Sequence, residues 1–247
     1  MLKLLPILLM LGYGLLMWQL SARRTKAELS RNSVPLEDPR LAPVLDRLAA
    51  AAGVAKIPVR LYRIPAVNGL AAPDGRIFLT EGFLARFRTS EITPEELASV
   101  VAHEMGHVAL GHARRRMIDF TGQNAVRMLL MTVIGRLIPG LGPMLVDGLV
   151  RLVSARLSRG DEYEADRWAT ALLVKAGIGA GPQISLFRKL DRLTGNRRTL
   201  PAWLLSHPAT PERIAAIEAN LKRWKLGGST DGSASGSTDG STGPKKS

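Results

Sequence analysis

Cysteine is absent from the 247 residues of this chain, and histidine occurs only four times. Without cysteine the chain can form no disulfide, and a bound metal ion must be held by histidine, aspartate or glutamate. Three of the four histidines fall within one short stretch, "VAHEMGHVALGH" at 101–112. Any metal chemistry must therefore be sought around that stretch.

Acidic residues are also few, because 21 Asp and Glu stand against 34 Lys and Arg, and the net charge is +13. Such a surface favours an anionic partner, either nucleic acid or lipid. The sequence lacks zinc-finger, RNA-binding and glycine-rich phosphate-binding signatures, so we expect no nucleic-acid partner. With 46% hydrophobic residues the chain can bury a core, and its apolar first residues favour membrane lipid as the anionic surface.

Residues 4–20 contain no charged side chain. As a helix, with about 1.5 Å of rise per residue, they would be just long enough to cross a bilayer. Cleavage of a signal peptide requires small residues at positions −1 and −3, but cutting after Ala22 places Leu20 at −3. We therefore predict an uncleaved transmembrane anchor at 1–22, followed by a basic linker at 23–36.

One folded domain is predicted at 37–226, and the Gly/Ser-rich tail at 227–247 is predicted to be disordered. The dipeptide Asp74-Gly75 predicts a hairpin turn, so we expect two or three antiparallel strands before residue 82. The apolar stretch 120–153 predicts a helical insert. This insert is either a pair of buried helices or a flap on the membrane surface.

A long helix is predicted to begin after Thr93, with Thr93 as N-cap and Glu96 completing a capping box. His103 and His107 then lie four residues apart on one helical face, where both imidazoles can reach one Zn²⁺. Glu104 lies about 100° around the helix axis, in position to take a proton from an attacking water. This HExxH pattern is typical of zinc proteases, although a pattern with two free positions also arises by chance.

A catalytic zinc site needs a third protein ligand. His112 follows His107 by five residues and points away from the shared face, so we interpret it as a supporting or structural residue. Glu162 and Asp166, within "SRGDEYEAD" at 158–166, would share one face of a later helix. Glu162 would then bind the metal and Asp166 would hydrogen-bond a ligating histidine, but the spacing equally fits a solvated acidic face.

"HEMGH" together with "SRGDEYEAD" resembles the zinc metallopeptidases of the HtpX and CAAX prenyl protease type. The resemblance implies one Zn²⁺ per chain, and it implies that Glu162 is the third ligand beside His103 and His107. It also implies that Glu104 is the general base and that Asp166 supports the ligands from the same helix as Glu162.

Two further segments are similar to this family. "NGLAAPDGRIFLTEGFL" at 68–84 is similar to the family's substrate-binding edge strand, which implies that an extended substrate pairs with Asn68, Gly69, Leu70 and Ala71. Gly69 and Leu70 stand where alanine and phenylalanine are usual. "SHPATPERI" at 206–214 is similar to the family's closing segment, which implies that His207 stabilises the oxyanion near the metal and that Arg213 is a structural partner.

We therefore expect an α+β fold, mainly helical, with a zincin-like domain, a small antiparallel sheet beside the histidine helix and one N-terminal membrane helix. The expected function is that of a membrane-anchored zinc metalloendopeptidase acting on protein or peptide substrates, with quality control of membrane proteins as its role. One alternative is a non-proteolytic zinc-containing binding or chaperone module, and another is a metal-free basic scaffold at the membrane surface.

Four basic residues follow the apolar span closely, Arg23, Arg24, Lys26 and Arg31, whereas only Lys3 and the amino terminus precede it. By the positive-inside rule this predicts a single-pass protein of a bacterial inner membrane, with its catalytic domain in the cytoplasm. The periplasmic side is the alternative location, and the sequence leaves the oligomeric state open.

Overall fold

Seven helices and four short strands make up the part of the chain that the structure, a computed structural model, describes. The described residues are 5–72, 74–112, 115, 127–128, 130–131, 142–194, 203, 207 and 211–228. The helices are α1 (Leu5–Arg31), α2 (Ala42–Ala52), α3 (Glu81–Arg88), α4 (Pro94–Ala109), α5 (Gly142–Lys175), α6 (Gly181–Thr194) and α7 (Pro211–Gly228). The strands are β1 (Ser33–Pro35), β2 (Val59–Tyr62), β3 (Gly69–Ala71) and β4 (Ile77–Thr80). The expected mainly helical α+β fold is confirmed.

The four strands form one mixed sheet in the order β1-β2-β4-β3. The predicted hairpin is present, since β3 pairs antiparallel with β4 and Gly75 takes the left-handed φ of 84° in the turn between them. The expectation of an antiparallel sheet is wrong for the central pair, because β2 and β4 run parallel. The physical reason is the connection between the strands. After β2 the chain forms β3 at the end of the sheet, antiparallel to β4, and then reverses through the hairpin to return as β4 between β2 and β3. β4 therefore runs in the same direction as β2.

The first helix extends further than the anchor predicted at 1–22. It continues to Arg31, and β1 follows at Ser33–Pro35, so residues 23–36 form a helix end and an edge strand where a basic linker was predicted. Among the residues that the structure describes, no helix combines the length and the apolar character needed to cross a membrane, unlike the expected span at 4–20.

α4 is a largely buried helix, with eleven of its sixteen residues in the interior. The predicted capping box is present: the Glu96 backbone N–H donates to Thr93 Oγ1 at 3.2 Å, and the Thr93 N–H donates to Glu96 Oε2 at 2.9 Å. Apolar side chains of α4 such as Leu97 and Val101 lie in the core with residues of the sheet, α5 and α6. The cap and the core thus fix where α4 begins and which of its faces meets α5.

Most of the apolar insert predicted at 120–153 lies outside the described residues. Its described end forms the start of α5, which runs without a break from Gly142 through the segment that contains Glu162. In this described end Val146 is buried, whereas four other apolar side chains are exposed: Met144, Leu145, Leu149 and Leu152. Residues 227–228 of the predicted tail end α7, and 229–247 lie outside the described part.

Candidate metal centre

α4 presents His103 and His107 on one face, one turn apart. Their Nε2 atoms lie 3.1 Å from each other, and both rings are buried. The two imidazoles meet edge to face, with ring centroids 4.8 Å apart. Both Nε2 nitrogens thus point at one small volume, as the spacing in the sequence predicted.

α5 brings Glu162 to the same volume. Glu162 Oε2 lies 3.3 Å from His103 Nε2, and Glu162 Oε1 lies 3.5 Å from His107 Nε2. The helices can approach this closely because Gly106 has no side chain: a Cβ atom there would lie 3.0 Å from the carbonyl oxygen of Ala165. Small residues at the crossing therefore set the distance between the glutamate and the two histidines.

The spacing of these three donors fits a zinc ion. Tetrahedral ligands bound at about 2.0–2.1 Å stand roughly 3.3 Å from one another. The observed donor separations of 3.1, 3.3 and 3.5 Å lie close to this value. Two imidazoles and a carboxylate are also ligand types that zinc prefers in catalytic sites. The residues present thus fit the ion.

Behind this group, Asp166 and Arg213 form a buried charged pair. Asp166 Oδ1 lies 3.0 Å from His103 Nδ1, and Arg213 donates to both Asp166 oxygens at 2.6 and 2.7 Å. Arg213 also lies 3.4 Å from Glu162 Oε2. Burial opposes the charge of Asp166, yet the hydrogen bonds from Arg213 and His103 hold the pKa of Asp166 below its usual range. Asp166 therefore stays ionised and orients His103.

The surroundings shift the pKa values of the two histidines of α4 in opposite directions. Burial disfavours the charged form of His103, but hydrogen bonds to Asp166 and Glu162 outweigh it and raise the pKa of His103 to about 9. Burial, together with the charge of His103, lowers the pKa of His107 to about 2. The carboxylates of Asp166 and Glu162 therefore favour positive charge beside them. His107 is kept in the neutral form that binds metal ions.

His207 lies within the group of possible metal donors (the donor group), whereas the resemblance implied only a position near the metal. Its Nδ1 lies 2.8 Å from Glu162 Oε2 and 3.3 Å from His103 Nε2. Ligand atoms of these four buried side chains all lie within 4.8 Å of one another: His103, His107, Glu162 and His207. The expectation placed His207 beside the metal as an oxyanion donor, whereas the structure also places it where a fourth ligand would stand.

Glu104 is buried beside the donor group and is contacted by a residue that the sequence analysis missed. Trp203 Nε1 donates to Glu104 Oε1 at 3.2 Å, and His207 Nε2 lies 3.6 Å from the same oxygen. The Trp203 ring is buried, and its centroid lies 5.8 Å from that of His103. A single tryptophan in an apolar segment carries no spacing signal, so sequence reasoning had no means to relate it to α4.

The predicted substrate strand lies against the same helix. β3 is the end strand of the sheet, and a Cβ atom on Gly69 would lie 2.8 Å from Val100 Cγ1 and 3.6 Å from Glu104 Oε1. Glycine at this position therefore lets β3 approach the side of α4 that carries Glu104. Asn68 Oδ1, just before β3, is buried and has no hydrogen-bond partner in the part of the chain that the structure describes.

An HExxH pair on one helix, completed by a glutamate from a second helix, is the arrangement of a class of zinc metallopeptidases. The chain belongs to a family within this class, since Peptidase family M48 matches residues 35–221. This match contains every residue of the donor group and β3.

Several curated proteins are similar to the chain. Metalloprotease LoiP of Escherichia coli is 32% identical over 159 residues, which cover 64% of this chain and 60% of LoiP. A putative beta-barrel assembly-enhancing protease of Vibrio cholerae is 28% identical over 74% of this chain and 40% of its own length. Protease HtpX of Hahella chejuensis is 25% identical over 78% of each chain. The chain thus spans less than two thirds of LoiP and of the Vibrio protein.

Proposed function

We propose that this protein is a zinc metalloendopeptidase that cleaves peptide bonds in protein substrates. The observation that carries the proposal is the donor group, in which three side chains stand at tetrahedral zinc spacing with Glu104 next to them on α4. Membership of Peptidase family M48 supports the same conclusion.

In this proposal His103, His107 and Glu162 hold one Zn²⁺. When bound, zinc supplies a Lewis acid and lowers the pKa of a coordinated water toward about 7. Glu104 accepts the proton of the attacking water and passes it to the leaving amine. Trp203 keeps the Glu104 carboxylate in place through its indole N–H. Asp166 holds His103, and Arg213 offsets the buried negative charge of Asp166 and Glu162.

His207 is expected to stabilise the oxyanion, but it also lies at the position of a fourth ligand. A catalytic zinc keeps one position open for water or substrate, and His207 Nδ1 stands where a fourth ligand would lie. We infer that His207 gives up this position when substrate enters. Its Nε2, which is 3.6 Å from Glu104 Oε1, then donates a hydrogen bond to the oxygen on which negative charge develops.

An extended segment of the substrate is proposed to pair with β3, through the predicted residues Asn68, Gly69, Leu70 and Ala71. β3 ends the sheet and passes within contact distance of Glu104, so a peptide added along it would lie beside the donor group.

We also propose that the protein works at a membrane, as a single-pass protein of a bacterial inner membrane with residues 1–22 as its anchor. Exposed apolar side chains on α1, among them Tyr13, Leu15 and Leu16, support membrane contact, as does the net charge of +13. The catalytic domain at 37–226 would face the cytoplasm, with membrane proteins as substrates. The insert at 120–153 and the tail at 227–247 complete the proposed organisation.

The test is proteolysis of a panel of membrane proteins in lipid vesicles by the full chain and by Glu104→Gln. We expect the wild type to sediment with the vesicles and to cleave in a chelator-sensitive way. Glu104→Gln should keep its zinc, measured by metal analysis, and lose cleavage. Glu95→Gln, the same exchange in the first turn of α4, is the matched control and should cleave normally. Full cleavage by zinc-loaded Glu104→Gln would contradict the mechanism.

One observation favours the second candidate, a non-proteolytic zinc-containing binding module. With His207 in place, four protein side chains surround the donor volume, and closed four-ligand sites are typical of structural zinc. The same experiment separates the two functions. Zinc bound at one ion per chain with no cleavage of any panel member would support the binding module.

A further inference from the structure

His112 is the fourth buried histidine and has no part in the proposed function. It follows α4, whose last turn is closed by Gly111 in the left-handed conformation, with a φ of 66°. The Gly111 N–H donates to the carbonyl of Val108 at 3.1 Å, as in a helix C-terminal cap. This turn brings His112, which is 1% exposed, back beside His107.

The two rings share one hydrogen bond. His112 Nδ1 lies 2.8 Å from His107 Nδ1, and the ring centroids are 4.9 Å apart. His107 turns its Nε2 toward the donor group, so its single proton in the neutral, metal-binding form sits on Nδ1. His107 Nδ1–H is therefore the donor of the bond, and His112 Nδ1 is the acceptor.

This assignment fixes the proton of His112 as well. With Nδ1 accepting, the neutral ring carries its proton on Nε2, which lies 3.2 Å from Glu164 Oε2. Arg115 in turn contacts Glu164 at 2.9 Å and Asp161 at 3.3 Å. A directed chain of hydrogen bonds thus runs from His107 through His112 to a carboxylate that a guanidinium neutralises.

The arrangement matches the one around the other histidine ligand. His103 Nδ1 forms a hydrogen bond with Asp166, and Arg213 neutralises the charge of Asp166. His107 has no carboxylate at its Nδ1 in the part of the chain that the structure describes, and His112 occupies that position. Both imidazoles of α4 are therefore linked to a carboxylate by hydrogen bonds. His103 contacts Asp166 directly, and His107 is linked to Glu164 through the imidazole of His112.

A second metal site is the competing explanation, because donor atoms of His112, Asp161 and Glu164 lie within 4.8 Å of one another. The contacts of Arg115 oppose it, because its guanidinium lies 3.3 Å from Asp161 and 2.9 Å from Glu164 and already offsets the charge of both carboxylates. Positive charge is thus supplied there without an ion.

We propose that His112 is a positioning residue that fixes the tautomer and orientation of His107 for zinc binding. The inference rests on the zinc site of the proposed function. Partners of this kind keep the ligand nitrogen aimed at the metal and raise its basicity, and their loss typically costs about 10–100-fold in metal affinity.

The test measures zinc affinity of the purified full chain by competition with a chromophoric chelator. His112→Leu removes the acceptor, and we expect a loss of about 10–100-fold. His112→Asn places an amide oxygen close to where Nδ1 stood, so it should restore most of the affinity. Glu164→Gln should give a smaller loss. Co²⁺ absorption spectra should change in His112→Leu and stay close to wild type in His112→Asn.

Arg115→Gln is the control, because it leaves the bond between the two histidines in place and should bind zinc nearly as the wild type does. Wild-type affinity in His112→Leu would overturn the inference. An equal loss in His112→Leu and His112→Asn, with equal melting temperatures of the zinc-free proteins, would assign the effect to packing and also overturn it. Because zinc binding is the readout, a wild type that binds zinc without cleaving would reject only the proposed function.

Discussion

At the scale of single residues, the centre is stable because each buried charge has a partner. Glu162 and Asp166 bring two carboxylates into the interior, which is costly unless opposite charge and hydrogen bonds accompany them. Arg213 supplies both, and its guanidinium also lies 4.7 Å from the Phe187 ring centroid. The site thus holds its negative charge in place for a cation without leaving a carboxylate unpaired.

Trp203→Phe is the residue-scale prediction. Phenylalanine keeps most of the ring that packs against His103 but removes the N–H that holds Glu104 Oε1. A hydrogen bond of this kind is worth about 1 kcal/mol or somewhat more, so we expect kcat to fall roughly tenfold with little change in zinc content. Steady-state cleavage of a protein substrate and metal analysis check both parts.

Trp224→Phe is the matched control, since Trp224 lies on α7 and is partly exposed. It should leave kcat unchanged. If Trp203→Phe also cleaves at the wild-type rate, the indole N–H has no role in placing the Glu104 carboxylate.

Some of these residues could be predicted from the sequence and others could not. His103 and His107 were predictable because one helical turn joins them, and Glu162 because its segment resembles a known motif. Trp203 and the fourth-ligand position of His207 were not, since both depend on long-range contacts of these two side chains with Glu104 and His103 of α4. No period in the sequence encodes that contact.

At the scale of elements, the crossing of α4 and α5 decides whether the donors meet. Gly106 lies between the two histidines and faces Ala165, which lies between Glu162 and Asp166 along α5. Local signals predicted α4 well, because its capping box needs only neighbouring residues. The parallel pairing of β2 with β4 was not predictable in this way, because it depends on a long-range crossover.

Gly106→Ala is the element-scale prediction. The new methyl group would lie 3.0 Å from the Ala165 carbonyl oxygen, which belongs to backbone and cannot rotate away. We expect the helices to separate, with a loss of about 1–3 kcal/mol in unfolding free energy and weaker zinc binding, since Glu162 moves with α5. Urea unfolding and chelator competition measure the two effects.

Gly160→Ala on α5 is the control for helix propensity. A Cβ atom there meets nothing within 4 Å, so alanine should stabilise the protein by up to about 1 kcal/mol. A stabilising effect of Gly106→Ala as well would show that the crossing tolerates a wider spacing than the structure indicates.

At the scale of the whole molecule, the donor group links parts of the chain that are far apart in sequence. The donors on its helices come from α4 and α5, and Arg213 of α7 contacts Glu162 and Asp166 from behind. An ion bound there would join α4 directly to α5, two helices that already meet through apolar packing and through the hydrogen bond between His103 and Asp166. Metal binding should therefore stabilise the fold as a unit.

Removal of the metal is the prediction at this scale. Zinc that binds the folded chain and not the unfolded one stabilises it by about 4 kcal/mol when its free concentration is a thousand times Kd. We expect a chelator to lower the melting temperature measured by circular dichroism, and added zinc to restore it. Glu162→Ala lacks one donor from α5, so its melting temperature should respond far less to chelator or zinc. Equal responses in both proteins would show that the stabilising ion binds elsewhere.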